Sequence, residues 1–454
     1  MLKTVNYQEF LDEHSNMALT NNRIPAEQYP YFNVKRGLRN SDGTGVLVGL
    51  TEIGDVTGYI VEEHEKIPVE GALRYRGISI DKLVAGFQAS GRPGFEEASY
   101  LLLFGDLPTR KKLDQFNEIL ESSRKLPAGF VENMILEAPS RNIMNKLARS
   151  ILALYSYDDD AEGRAITNVL RQCIELIARF PIMIAYAYQA KMHNYNKKSL
   201  YIHNPDPGLS TAENFLRLIR PNKEFTKLEA EILDLALVLH AEHGGGNNST
   251  FTTHVVMSSD TDVYSAIAAA VGSLKGSKHG GANNKVVAMM ENFKENIKDW
   301  NDLDEVERYL EKVINKEAYD KTGLVYGLGH AVYTKSDPRA IILYDKLNEL
   351  AKEKGVMDEV QLYRNVEKLG PEVFKRVKNN DKIISANVDF YSGFIYKILG
   401  INPDLYTPIF AMARVAGWAA HILEEIVSGG RIMRPAYKAV CKRREYVPME
   451  QRQQ

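Results

Sequence analysis

Cysteine is nearly absent from this chain: Cys173 and Cys441 are the only two in 454 residues, and neither sits in a C-x-x-C. Two isolated thiols exclude a disulfide framework, so a reducing, cytoplasmic setting is expected. A dominant charge sign is also missing. Lys and Arg number 57 against 59 Asp and Glu, for a net charge of -2. That balance leaves no electrostatic footprint for nucleic acid. Long apolar runs are missing as well. The most apolar stretch, Cys173 to Tyr188, is broken by Glu175, Arg179 and Pro181, which predicts a core helix and excludes a membrane span. The first eleven residues contain Glu9 and show neither an apolar segment nor an Arg-rich pattern, so no targeting peptide is expected. No repeat or low-complexity linker is present. What remains is an ordinary globular balance, 44% hydrophobic and 26% charged, in a chain long enough for a large domain plus a smaller one.

The first forty residues predict one or two polar helices ending in an arm, broken at Pro25 and Pro30. Between Gly43 and Ile80, glycines punctuate short β-branched runs, Val46-Leu47-Val48 and Tyr59-Ile60-Val61, which suggests small hairpins. Beyond them the pattern is helical almost to the end. Thr226-Lys-Leu-Glu229 is a capping box opening a buried helix through His240. Asp337-Pro338 is an N-cap followed by proline at N1, with a stop near Gly355, and Thr407-Pro408 repeats it with a stop at Ser428-Gly429-Gly430. The expected fold is mainly α with a small β element near the N-terminus.

Several motifs drop out. Gly43-Thr-Gly45-Val-Leu-Val-Gly49 is one residue off G-x-G-x-x-G and leads into a strand pattern, so no dinucleotide fold follows. P-loop, nucleophile-elbow and H-E-x-x-H patterns are missing. His240 and His243 share a helix face at i and i+3, but without a nearby cysteine or third carboxylate cluster they predict no metal site.

Four segments combine His, Arg or Asp with glycine-dense helix ends. In His240-Ala-Glu-His243-Gly-Gly-Gly246-Asn-Asn-Ser249, His243 is expected at a helix C-terminus, where protonation is favoured, with Asn248 or Ser249 capping the next helix. In Lys275-Gly-Ser-Lys-His279-Gly280-Gly281, the histidine stands before a helix N-terminus that would keep it neutral. In Gly327-Leu-Gly329-His330 through Arg339, the arginine falls at N2, the wrong end for a cation unless an anion binds nearby. In Asn387-Val-Asp389-Phe-Tyr, burial would raise Asp389 toward a general base. The plain alternatives, in the same order, are a C-capping histidine, a loop histidine, a solvated surface arginine and an N-capping aspartate. Arg414 lies on an apolar stripe with Phe410 and Trp418, where a guanidinium needs an anionic partner, and Arg434 follows the same helix.

Together, these segments, 36 residues from His243 to His279 and 9 from His330 to Arg339, resemble the citrate synthase family, in its bacterial forms. So do Gly43-Thr-Gly-Val-Leu-Val-Gly-Leu and Phe95-Glu-Glu-Ala-Ser-Tyr-Leu-Leu-Leu-Phe104. The resemblance implies a two-domain helical fold, with an arm at 1–40, a large domain at 41–280 and 401–454, and a small domain at 281–400. It implies an acyltransferase that joins acetyl-CoA to oxaloacetate, with no cofactor beyond its substrates and no metal. His279, His330 and Asp389 would be catalytic. His243, Arg339, Arg414 and Arg434 would bind oxaloacetate, Arg434 reaching across a homodimer interface. Val325, Gly327, Gly329 and Asn387 would contact CoA. The sequence departs from the family's habit at Glu242, Gly244, Lys275–Lys278 and Ala331. A 2-methylcitrate synthase using propionyl-CoA is the nearest alternative; a metal-dependent hydrolase on His240 and His243 and a helical binding protein are the others.

Overall fold

The structure, a computed structural model, describes residues 7–62, 65–381 and 383–452. Two compact units emerge. One comprises the N-terminal segment up to Leu50 with Ile60–Ile67, and the other Thr51–Tyr59 with Pro68–Gln454. In the first, α1 (Tyr7–Asn21) and α2 (Gln28–Tyr31) precede an isolated bridge between Arg39 and Gly45. Val46-Leu47-Val48, expected as a strand, forms none; Leu47 is 85% exposed and has no ladder partner to hold it extended. The first six residues of the expected arm lie outside the described residues.

Strands β1 (Gly54–Glu62), β2 (Glu65–Tyr75) and β3 (Ile78–Ser79) form a sheet in that order, with β2 and β3 antiparallel and Arg74 opposite Ser79. Helices follow: α3 (Ile80–Ala89), α4 (Phe95–Phe104), α5 (Arg110–Ser123), α6 (Ile143–Leu154), α7 (Ile166–Asn196) and α8 (Thr211–Ile219). Next come α9 (Lys227–His240), α10 (Asn248–Met257), α11 (Val263–Leu274), α12 (Ala282–Asn296) and α13 (Leu303–Ile314). The last four are α14 (Pro338–Lys354), α15 (Met357–Lys378), α16 (Val388–Ile398) and α17 (Tyr406–Ser428). The fold is mainly α. No described helix is long and apolar enough to cross a membrane.

Local chemistry explains the boundaries that position the site. Thr226 accepts from the Glu229 amide at 3.2 Å and Glu229 accepts from the Thr226 amide at 3.1 Å, so the capping box opening α9 is complete. Asp337 accepts from the Arg339 amide at 3.0 Å, Pro338 occupies N1 of α14, and Gly355 at φ 69° ends it. Thr407 does not cap α17. A 3-10 turn, Pro403–Leu405, runs straight into Tyr406, and the Thr407 hydroxyl instead donates to the Gly280 carbonyl at 2.7 Å. The chain beyond Ser428 is largely without regular secondary structure.

α17 is the axis of the core. It packs on α7, α10, α4 and α9, and every residue from Ile409 to Leu423 is buried. Gly417 permits its approach to the end of α9, because a Cβ there would press into the Ala241 carbonyl and the Glu242 carboxylate. The segment that holds His243 therefore rests on backbone.

Candidate active site

The loop after α9 carries the first site residues. Tyr75 of β2 fixes it by donating to the Val238 carbonyl at 2.8 Å and accepting from the Glu242 amide at 3.2 Å. Glu242 is fully buried. Burial pushes its carboxyl up, but His421 and Arg414 outweigh this and hold it below its ordinary value. His243 is buried with no partner on Nε2. Its protonated form is not favoured, contrary to the expectation from the helix end. Burial first, then Arg339, His330 and Arg414, push its pKa well below the ordinary value, because desolvation and nearby cations exceed a dipole's contribution.

His330 packs beside it, with ring centroids 5.2 Å apart, and stacks on Tyr333 at 4.9 Å. The amides of Val332 and Tyr333 donate to His330 Nδ1 at 3.0 and 3.1 Å. An accepting Nδ1 carries no proton, so the ring is neutral with its hydrogen on Nε2. The sheet braces this loop: Thr334 donates to the Gly58 carbonyl, and the Gly71 amide donates to Ser336.

Arg339 sits at N2 of α14, as its sequence predicts, and is buried. The anion that offsets the helix dipole is a protein group, Asp337, which accepts from Nε and Nη2 at 3.0 and 2.8 Å. Arg414 differs. Its Nε donates to the His240 carbonyl at 2.6 Å, yet Nη1 and Nη2 are buried without a partner. Burial pulls its pKa down to about 10, which leaves it cationic at neutral pH. Two unsatisfied donors on a fully buried cation carry a large penalty until an anion arrives.

Asp389 lies at N2 of α16, and Asn387 is the N-cap, accepting from the Asp389 amide at 3.0 Å. The Asp389 carboxyl is therefore not spent on capping. Burial pushes its pKa up to about 6 against the pull of Arg339 and Arg414. His279 falls to about 4, through burial first and Arg414 second, and is neutral. The sequence argument named the direction but assigned it to a helix N-terminus; α12 begins only at Ala282. His279 Nε2 lies 3.1 Å from Ser249 Oγ, which also accepts from Trp418 Nε1 at 3.2 Å. The cap of α10 is Asn247, not Asn248 or Ser249.

Val325, Gly327, Gly329 and Asn387 belong to one clasp. The Gly329 amide donates to the Ser385 carbonyl at 2.7 Å, the Asn387 amide to Gly327, and Asn387 Nδ2 to the Gly329 carbonyl at 2.9 Å. Val325 accepts from the Leu328 amide. The clasp ties the His330 segment to the start of α16. Gly327, at φ 83°, is required there, since a Cβ would lie 2.7 Å from Phe390.

The structure thus gathers His243, His279, His330, Arg339, Arg414 and Asp389 around one region, coupled through the two guanidinium groups. Arg434 lies exposed in the irregular segment beyond α17. Ser249, Tyr333, Trp418 and Glu242 were not singled out for the site by sequence. Only their contacts reveal them. His240 packs on Phe410 with tilted rings, centroids 4.4 Å apart, and neither ring nitrogen partnered; it joins no group of three metal-ligating side chains among the described residues.

Residues 41–436 match the sequence model described as "Citrate synthase, C-terminal domain". The chain belongs to the citrate synthase family. It is accordingly an enzyme that transfers acyl groups. It is 33% identical to a citrate synthase of Haloferax volcanii, over 92% of this chain and 99% of that protein. It is also 31% identical to 2-methylcitrate synthase 1 of Corynebacterium glutamicum, over 92% of this chain and 98% of the other. Among solved structures, the ternary complex of the Thermoplasma acidophilum citrate synthase with carboxymethyl coenzyme A and oxaloacetate superposes with a TM-score of 0.74. Its identity is 28%, covering 92% of this chain and 99% of that one.

Proposed function

We propose that this member of the citrate synthase family condenses acetyl-CoA with oxaloacetate and water to give citrate and CoA, as a cytoplasmic homodimer. The observation that carries the reading is Arg414. Its two buried, unpartnered terminal nitrogens call for a planar anion, and a carboxylate of oxaloacetate supplies one by a bidentate contact. Arg339 and His243 flank the same anion. Arg434 completes the clamp from the neighbouring subunit.

The Asp389 carboxylate removes a methyl proton from acetyl-CoA while the neutral His279 ring donates a hydrogen bond to the thioester oxygen, which gains the enolate charge. Donation requires the hydrogen on Nδ1. Ser249 Oγ donates to Asn247 Oδ1 at 3.0 Å; turning that amide to present its NH2 frees the Ser249 proton for Nε2 and supports that tautomer. The enolate carbon attacks the ketone carbon of oxaloacetate, and His330 Nε2–H polarises and then protonates the new alkoxide. Water cleaves the citryl thioester, releasing CoA as the thiol and citrate as the acid. Val325 to Gly329, with Asn387, line the path of the CoA arm. Closure of the small domain, 281–400, keeps water out until condensation is complete.

Following free thiol in a mixture of protein, acetyl-CoA and oxaloacetate tests the proposal. Oxaloacetate-dependent thiol release is expected, and its absence would end the reading. A second reading, 2-methylcitrate synthesis from propionyl-CoA, is favoured by the similarity to the Corynebacterium glutamicum 2-methylcitrate synthase. One methylene is worth about 1–3 kcal/mol of discrimination, so the ratio of kcat/KM for the two acyl-CoAs decides between them.

A further inference from the structure

Behind the loop that carries His243, α10 and α17 bring two imidazoles edge to face, with ring centroids 5.0 Å apart. His254 Nε2 lies 3.2 Å from His421 Nδ1. Glu424 Oε2 lies 3.6 Å from the same His421 Nδ1, and the three atoms all fall within 4.8 Å of one another. The outer nitrogen of each ring meets a carboxylate: His254 Nδ1 approaches Glu425 Oε2 at 2.8 Å, and His421 Nε2 approaches Glu242 Oε1 at 3.1 Å. An ionised carboxylate only accepts, so each outer nitrogen carries the hydrogen. With both rings neutral the inner lone pairs would face each other. Two facing lone pairs repel, and either a proton held between the rings or a metal cation relieves the repulsion. Burial pulls His421 down, but Glu242 and Glu424 outweigh it and push its pKa up to about 9, so a positive charge is called for at this point, either a proton on His421 or a bound cation.

The third inner atom points the same way. Glu424 Oε1 accepts from the Glu52 amide at 2.7 Å, which fixes the carboxylate, while Oε2 is buried without a hydrogen-bond donor. Glu242, Glu424 and Glu425 thus place three carboxylates around two imidazoles. Arg76, which shares their field, donates Nε and Nη2 to the Leu102 carbonyl instead. Distances agree with a metal. Bonds of about 2.0–2.1 Å at tetrahedral angles put neighbouring donor atoms about 3.3 Å apart, close to the 3.2 and 3.6 Å found here. Outer carboxylates that orient the rings are the usual surroundings of histidine ligands. The side chains of His254 and Glu425 are 12% and 15% exposed, which leaves a route from solvent.

We propose that His254 Nε2, His421 Nδ1 and Glu424 Oε2 form a binding site for one divalent first-row transition cation, with water in a fourth position. The cation would pin α10 to α17 and, through His421 and Glu242, stiffen the loop that holds His243. It takes no part in the condensation, and the inference stands whether or not the acyl acceptor is oxaloacetate. The competing occupant is a single proton shared between the two rings.

The test uses the full chain, stripped with a chelator and titrated with Co2+ at pH 7.5. Binding is followed by visible d–d absorption and by metal content after desalting. One equivalent with the strong band of four-coordinate cobalt is expected. His254→Ala and the nearly isosteric Glu424→Gln should each weaken binding at least tenfold, whereas His193→Ala, at an exposed histidine, should leave it unchanged. No stoichiometric binding would overturn the proposal and leave the shared proton as occupant. Equal binding by a folded Glu424→Gln variant and the unaltered chain would overturn it too.

Discussion

At the scale of single residues, the site works by setting neutral and charged forms against ordinary expectation. Asp389 titrates near 6 because burial outweighs two guanidinium groups. If it is the base, kcat/KM should fall about tenfold per pH unit below that value; a flat profile between pH 5 and 7 would remove it from the role. Asp389→Asn should lower turnover by about 10²–10⁴ while sparing oxaloacetate affinity. Its stability should move the other way. The folded pKa lies above the ordinary 3.8, so ionisation of Asp389 weakens the fold, fully above about 6 and not at all below 3.8. That penalty is on the order of 3 kcal/mol. The Asn variant should melt higher than the unaltered chain at pH 8, and the gap should close as the pH falls toward 4. Arg414→Leu should replace an unsatisfied cation with an apolar group, raising the KM for oxaloacetate at least a hundredfold; an unchanged KM removes Arg414 from the clamp. Ser249→Ala should lower kcat more than KM if Ser249 sets the tautomer of His279.

At the scale of elements, helix ends and close approaches decide where these groups stand. Capping was legible. Thr226 with Glu229, and Asp337 with Pro338, announce α9 and α14 because both signals are satisfied within four residues of chain. Thr407-Pro408 shows the same letters, yet its hydroxyl serves the distant Gly280 carbonyl, a use no local pattern can reveal. Gly417→Val should destabilise by about 1–3 kcal/mol, because α17 could no longer seat against Ala241 and Glu242. Chemical denaturation should show a lower midpoint with an unchanged slope. Gly327→Ala forces φ 83° on a residue with a Cβ aimed at Phe390. It should raise the KM for acyl-CoA and loosen the clasp between Gly329 and Ser385.

At the scale of the whole molecule, the proposed homodimer can be tested through Arg434. Asp389→Asn and Arg434→Leu chains, each inactive alone, should regain activity when unfolded and refolded together. A mixed dimer would keep one intact site only if Arg434 acts on the partner's site, so roughly a quarter of full activity is expected. No recovery in a mixture shown to contain mixed dimers places Arg434 in its own chain's site. Acid stability should also reflect two opposed groups. His279 is depressed to about 4 from 6.5, so its contribution is present above 6.5 and lost as the pH falls through 4. Asp389 acts in the reverse sense over nearly the same window, and the two offset each other.

Composition and periodicity alone determined a mainly helical chain with a small β element, and the combined motifs marked His243, His279, His330, Arg339, Arg414 and Asp389, which the fold brings near one another, together with Arg434, which it leaves exposed beyond α17. These are properties of short segments, where capping, turn chemistry and apolar spacing act within a few residues. Tertiary structure alone decided which forms those groups take. His243 is neutral rather than protonated because the fold buries it and then brings Arg339, His330 and Arg414 onto it from other parts of the chain. Arg339 meets Asp337, whereas Arg414 keeps two donors unpaired. Desolvation and charge proximity are long-range sums over everything packed nearby, and the order of residues along the chain does not contain them.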